Sequence, residues 1–260
     1  PTSSRRQRQM CIRDSGAVGV ERIMRLLADE GIRGTFYVPG RTLEVYPEAC
    51  RALHDAGHEI AHHGFDHVSP VTMERDAERD QLRRGNALIA GITGAGARGY
   101  RSPAWDLSPH SVELLLEEGF RYDSSMMAHD SQPYPARTGD TVDVDGRFRP
   151  GNETRLVELP ISWSLDDFPH YEYFRGGGLR PASGVLENWL ADFDYMARFD
   201  SWGALTFTCH PFVIGRGHRM LMLEALIKAL KSRGAVFLTS AELADEYLAR
   251  EAAAAASSVR

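Results

Sequence analysis

Apolar positions along the chain recur at helical spacing in blocks that stop at a glycine, and each block is followed within a residue or two by a short β-rich run. The unit occurs four times: LLADE, Gly31, IRGTFYV; ALHDA, Gly57, HEIAHH; LLLEE, Gly119, FRYDSS; ALKSR, Gly234, AVFLTS. A residue without Cβ adopts the left-handed conformation that closes a helix, so each glycine reads as a C-terminal helix stop. Helix and strand in alternation predict an α/β fold with a parallel sheet. Further strands are expected at 99–102, 156–160 and 204–209, which brings the total to about seven and favours a (β/α) barrel over a smaller sheet. Helices are expected over 20–30, 46–56, 72–90, 109–118, 182–198, 219–232 and 240–250, with Ser108 capping the fourth and Pro109 opening it.

Three stretches depart from this rhythm. Residues 126–155 are rich in Asp, Gly and Pro, and residues 161–180 carry Trp163, Phe168, Tyr171, Tyr173, Phe174 and three consecutive glycines. Both read as long loops of functional or interfacial use. The first fifteen residues are polar and basic with no β-type run. They read either as a disordered tail or as a replaced native strand, and the string QMCIRDS resembles adaptor-derived sequence more than protein. The expected division is a leader over 1–15, a catalytic domain over 16–250 and an alanine-rich tail over 251–260 whose helix continues outward.

Composition narrows the partners. The 260 residues are 43% hydrophobic and 25% charged with a net charge of -6, and no basic cluster of the kind that tracks phosphates is present. A nucleic-acid partner is not expected. Cys11, Cys50 and Cys209 form neither a disulfide framework nor a metal knuckle, which points to a reducing, cytoplasmic setting. No run approaches the ~18 apolar residues of a membrane span.

Candidate chemistry collects at predicted strand ends. His63 and His67 stand four apart after an apolar run, a spacing that suits two ligands of Zn²⁺ or a similar ion and equally suits a surface pair. His62 and Asp66 read as orienting or solvated neighbours. Arg101 ends the strand before Pro103 and Trp105, with a surface arginine and a core tryptophan as the plain alternatives. His210 closes the apolar run 204–209 ahead of Pro211 and Phe212, where a packed histidine is the plain alternative. Barrel enzymes assemble their sites at the C-terminal ends of strands, so the coincidence of these residues carries more weight than any one of them.

The segments GTFYVPG, AGHEIAHHGFDH, GYRSPAWDLSPHSVELLLEEGFRYDSS, ELPISWSLDDFP and FTCHPFVIGRGHR, in this order, resemble the NodB-homology domain of the polysaccharide deacetylase family. The likeness is strongest to its branch of peptidoglycan-deacetylase-like and metal-independent-allantoinase-like proteins, and it covers roughly Gly16 to Tyr247. The resemblance implies a distorted (β/α)₇-type barrel whose first strand is lost here, and hydrolysis of a non-peptide carbon–nitrogen bond. It implies that His63 and His67 bind the metal, that Arg101 and Trp105 wall a groove and orient a catalytic carboxylate, and that His210 is the general acid. Asp166 and Asp167 match an acidic pair at the rim, and Trp163 and Phe212 fall in the segments expected to touch substrate. The family's first motif supplies an aspartate base and third metal ligand; Asp14 is the one carboxylate before Glu21 and lacks a strand around it, so this chain is expected to be impaired.

Three functions follow from the resemblance: N-deacetylation of a chitin- or peptidoglycan-type sugar, hydrolysis of a small cyclic amide or ureide, and an impaired barrel that binds a sugar or partner. The substrate is expected to be a saccharide or small amide and the protein a homo-oligomer, with His63, His67, Arg101 and His210 meeting at one rim.

Overall fold

The structure, a computed structural model, describes residues 17–172 and 179–258. The expected leader, with Cys11 and Asp14, lies outside the described residues, as do Tyr173, Phe174 and the three glycines of the aromatic insertion. The chain divides into two compact units, one formed by Arg33–Pro160 with the segment from Leu238, the other by the residues up to Ile32 with Ile161–Phe237.

The first is a sheet unit. Strands β1 (Thr35–Val38), β2 (Glu59–His62), β3 (Gly99–Tyr100), β4 (Tyr122–Asp123) and β8 (Asn152–Glu158) run parallel, and β5 (Tyr134–Thr138) closes the order β1-β2-β3-β4-β8-β5 antiparallel to β8. A separate hairpin joins β6 (Thr141–Val142) to β7 (Phe148–Arg149). Helices α2 (Gly40–Val45), α3 (Pro47–Asp55), α4 (Arg75–Thr93), α5 (Ser111–Glu117) and α10 (Ser240–Ser258) complete the unit. The register places Val38 beside His62, His62 beside Tyr100, Tyr100 beside Asp123 and Asp123 beside Glu158. Five strands therefore end on one line across the sheet, and the residues that follow, among them His63, Arg101 and Ser124, leave from a common edge.

The second unit is helical: α1 (residues 17–29), α6 (Asp167–Tyr171), α7 (Ala182–Phe199), α8 (Pro211–Ile214) and α9 (Gly217–Ser232). Trp189 of α7 is fully buried and its indole N–H donates to the Ser164 carbonyl at 2.8 Å. A Cβ on Gly19 of α1 would lie 2.0 Å from the Pro211 carbonyl oxygen, so α1 passes directly against the turn that begins at His210.

The α/β class with a mostly parallel sheet is as the alternation predicts. All four stop glycines take positive φ, at 60°, 84°, 82° and 83°. Each closes its helix with paired bonds of the kind seen at Gly31, where its N–H donates to the Ala28 carbonyl and that of Ile32 to Leu27.

Several expectations change. Segment 204–209 makes a single bridge, Thr208 with Asp166, and 235–239 makes no strand, because a β-rich run becomes a strand only where a neighbour pairs with it. Segment 126–155 begins as a loop and from Tyr134 becomes antiparallel structure, β5 paired with β8 and the β6–β7 hairpin between them. Helix α5 starts at Ser111, not Pro109: Ser108 Oγ donates to the buried Glu78 carboxylate at 2.6 Å and accepts the His110 N–H at 3.0 Å in a turn ahead of the helix. No described helix is long and apolar enough to cross a membrane.

Candidate functional site

In the sheet unit, β2 hands its last residue, His62, to a fully buried position. The Nδ1 atom of His62 accepts the Gly64 N–H at 3.1 Å and Nε2 donates to the Leu82 carbonyl at 3.1 Å, which fixes the neutral tautomer. Burial pushes this imidazole down to about 4, so it stays uncharged at neutral pH. His62 thus fastens the Gly64 turn, φ 67°, to α4, as an orienting neighbour should. Helix α4 admits the ring only at Gly85, where a Cβ would lie 2.2 Å from His62 Nε2. Gly85→Ala is expected to destabilise the protein by about 1–3 kcal/mol through overpacking, measured by denaturant unfolding; an unchanged midpoint would show that the turn is held otherwise.

The turn carries the two candidate ligands. His63 Nδ1 donates to the Arg101 carbonyl at 2.7 Å, because an oxygen there accepts only from a protonated nitrogen, and the ring's lone pair is left on Nε2. The His63 and His67 ring centroids are 4.9 Å apart. Asp66 is tied to Arg41 at 2.7 Å and to Gln81 at 2.9 Å, and Gln81 Oε1 in turn accepts the Phe65 and Asp66 N–H groups. Asp66 fastens the turn to its surroundings instead of supplying a ligand.

Arg101 is 5% exposed, which removes the surface-arginine alternative. Its Nε donates to the Ser124 carbonyl at 2.8 Å, Nη2 to Ser124 Oγ at 2.6 Å, and the guanidinium lies 4.1 Å from the Tyr37 ring centroid. Trp105 is half-buried at the end of a single turn, Pro103–Trp105, with Ala104 at φ 56° and Trp105 at φ 60°. Together with His67 at φ 56°, these are the non-glycine residues with positive φ among those described. Such conformations cost about 1–3 kcal/mol each and persist where something requires them.

In the helical unit, the Asp166 bridge to Thr208 is extended by bonds from the Asp167 N–H to the Thr208 carbonyl and from the Thr208 N–H to Leu165. This short parallel pairing brings the acidic pair beside His210. Asp167 is fully buried; its Oδ2 accepts the His210 backbone N–H at 2.9 Å and its Oδ1 accepts the Nδ1–H at 2.7 Å. Burial raises the Asp167 carboxyl above its ordinary range, and the bonds from His210 pull it back. Asp166 plays a different part: its Oδ1 accepts the Phe168 N–H at 2.7 Å as the cap of α6 and stands 3.7 Å from Nδ1. The His210 side chain is 37% exposed, and the Phe168 and Phe212 rings flank it at 5.7 and 5.8 Å. Trp163 is 48% exposed on the turn before Asp166.

Ligand atoms of Asp166, Asp167 and His210 all lie within 4.8 Å of one another, a spacing that a cation could use. The hydrogen bonds argue otherwise. Both Asp167 oxygens are engaged with His210, one by its backbone N–H and one by its Nδ1–H, so the group is a carboxylate–imidazole dyad. His63 and His67, with the His63 ring set by the Arg101 carbonyl, are the better fit in kind to a divalent ion and could offer it two imidazole ligands. The structure therefore brings together His63, His67 and Arg101 in one unit, and Asp166, Asp167 and His210 in the other. Sequence reasoning did not single out Ser124, Ser125 or Glu158, although YDSS and ELP lay inside the recognised segments; acidic residues closing adjacent predicted strands were the available signal.

Residues 12–122 match the polysaccharide deacetylase family profile. The chain is 33% identical over 251 residues to the peptidoglycan deacetylase of Helicobacter pylori, covering 91% of this chain and 86% of that protein. A solved structure from Mycobacterium smegmatis, classed among the polysaccharide deacetylases, superposes with a TM-score of 0.79 at 35% identity, covering 91% of this chain and 79% of the other. A solved allantoinase superposes with a TM-score of 0.76 at 23% identity, covering 92% and 75%, a likeness of fold alone.

Proposed function

The chain belongs to the polysaccharide deacetylase family, and from that premise we propose that it hydrolyses the acetamido group of a peptidoglycan-type amino sugar, releasing acetate and leaving the free amine. It is a hydrolase of carbon–nitrogen bonds outside the peptide class. The observation that carries the chemistry is the buried Asp167–His210 dyad.

An amide resists hydrolysis because the amine leaves poorly: once water has added to the acyl carbon, the intermediate expels water again unless the nitrogen is protonated. His210, with Nδ1–H held by Asp167, presents Nε2 as the proton donor to that nitrogen, and the carboxylate steadies the imidazolium from which the proton comes. A divalent ion such as Zn²⁺ on His63 and His67 would supply Lewis-acid polarisation of the acyl carbonyl. Arg101, fixed by Ser124, orients a carboxylate in the way the resemblance implies, and Trp105 in the unit of Arg101, with Trp163 and Phe212 in the unit of His210, are the aromatic candidates for sugar contact. The family's aspartate base has no assigned counterpart, since Asp14 lies outside the described residues.

The test is acetate release from acetylated chito-oligomers and peptidoglycan fragments with Zn²⁺ or Co²⁺, with a cyclic ureide as the competing substrate, before and after grafting an aspartate-bearing first strand. Acetate from the sugars and no ureide turnover is the expected result. Turnover of the ureide alone would move the reading to the cyclic-amide branch. Sugar affinity without hydrolysis, surviving both chelation and His210→Ala, would establish a binding protein instead.

A further inference from the structure

Asp123 and Glu158 close β4 and β8 as direct partners across the parallel pair, and both are fully buried. Glu158 Oε1 accepts the Ser125 and Met126 N–H groups at 2.8 Å each, and Asp123 Oδ1 accepts from Ser125 Oγ at 2.7 Å. The remaining oxygens, Asp123 Oδ2 and Glu158 Oε2, are buried without a hydrogen-bond donor, on two carboxyls that the register sets side by side. Two ionised carboxylates would leave both of these buried oxygens without a hydrogen, because neither has one to give; one proton between them satisfies both. The segment they hold is the one that holds Arg101. Ser124 supplies its carbonyl and hydroxyl to the guanidinium, and Ser125 Oγ accepts the Ser102 N–H at 2.9 Å.

We infer that Asp123 and Glu158 share one proton and act as a positioning pair for Arg101, fixing the Ser124–Ser125 turn to which the guanidinium is bonded. This rests on the reading of Arg101 as a site residue. Burial is the first cause raising both acids, Asp123 to about 6 and Glu158 well above its ordinary range, with Asp123 adding to the rise at Glu158. The groups around the pair are Arg101, which favours the Asp123 carboxylate, and Tyr100 and Tyr134, both raised by burial and so neutral. Because both acids hold protons more tightly in the folded chain than in the unfolded one, the stability they contribute falls as pH rises from about 4 upward. Deprotonation of the second carboxyl places two charges face to face in the sheet and loosens the turn.

The test uses the full chain and two substitutions. An infrared difference spectrum between wild type and Glu158→Gln at pH 7 should show a protonated-carboxyl stretch that the variant lacks. Nitrogen-15 NMR, with the Arg101 Nε–H assigned by its loss in Arg101→Lys, should show hydrogen exchange faster by about tenfold or more in Glu158→Ala, and close to wild type in Glu158→Gln, whose amide N–H replaces the shared proton. The Leu114 amide should report an intact core throughout. If Glu158→Ala does not fold, the wild-type chain carries the same test: exchange at Arg101 should accelerate with pH more steeply than in Glu158→Gln. Absence of the protonated-carboxyl band, or equal pH dependence of exchange in wild type and Glu158→Gln, overturns the inference. Neither readout involves substrate, so a chain that releases no acetate would count against the proposed reaction and leave these results to be judged separately.

Discussion

Asp167→Asn is expected to lower kcat for acetate release by about 10²- to 10⁴-fold, the range that a positioned general acid contributes. The reason lies in the two oxygens. One accepts the His210 backbone N–H and the other the Nδ1–H, and asparagine has a single acceptor to offer. If its oxygen keeps the backbone N–H, the amide NH₂ faces Nδ1 and forces that nitrogen to carry a lone pair. The imidazolium is then unavailable and Nε2 has no acidic proton to deliver. If the side chain flips, two N–H donors meet in a fully buried place at a cost of about 1–3 kcal/mol. Kinetics and thermal unfolding tell the two apart, the first leaving stability near wild type and the second lowering it. Full activity in this variant would remove the dyad from the mechanism. Asp166→Asn should be milder in rate, since its oxygen caps α6 through the Phe168 N–H, a bond that a carboxamide oxygen also makes.

The second large effect is expected at His67. If His67 holds the ion as proposed, His67→Gly should sharply reduce turnover, while making the metal-free chain more stable by about 1 kcal/mol. Glycine adopts the positive φ of 56° that histidine adopts under strain. His63→Ala should match the loss of turnover without the gain, because His63 has no such strain and gives up its bond to the Arg101 carbonyl. Thermal unfolding in chelator, metal content and acetate release are the measurements. A less stable, still active His67→Gly protein would mean that the residue is a fastening group and that the ion is held elsewhere.

The parts of this molecule that could be read in advance are those specified locally. A glycine that stops a helix needs only its own φ, and all four such glycines behaved as their neighbours predict. His63 and Arg101 do stand where a polar residue after a short apolar run predicts, directly after β2 and β3, whereas His210 follows a segment that makes a single bridge. The partnerships were not legible. Asp166 and Asp167 are adjacent and chemically identical, and a one-residue step decides which one meets the imidazole and which one caps a helix. Asp123 and Glu158 are paired by strand register, which no local pattern encodes. The antiparallel strand β5 departs from the expected loop because Pro135 masks its alternation, and the segment 204–209 departs from the expected strand because apolar content does not reveal whether a neighbour is there to pair.

The shared finish line of the five parallel strands separates scaffold from selectivity. The register ends at Val38, His62, Tyr100, Asp123 and Glu158, with one further bond each from the Arg101, Ser124 and Leu159 N–H groups, so connections beyond those residues can be lengthened or exchanged without disturbing any ladder. Libraries aimed at a new acyl donor should therefore diversify residues 68–74, 106–110 and 127–133, and keep the strands and the first residue after each of them constant.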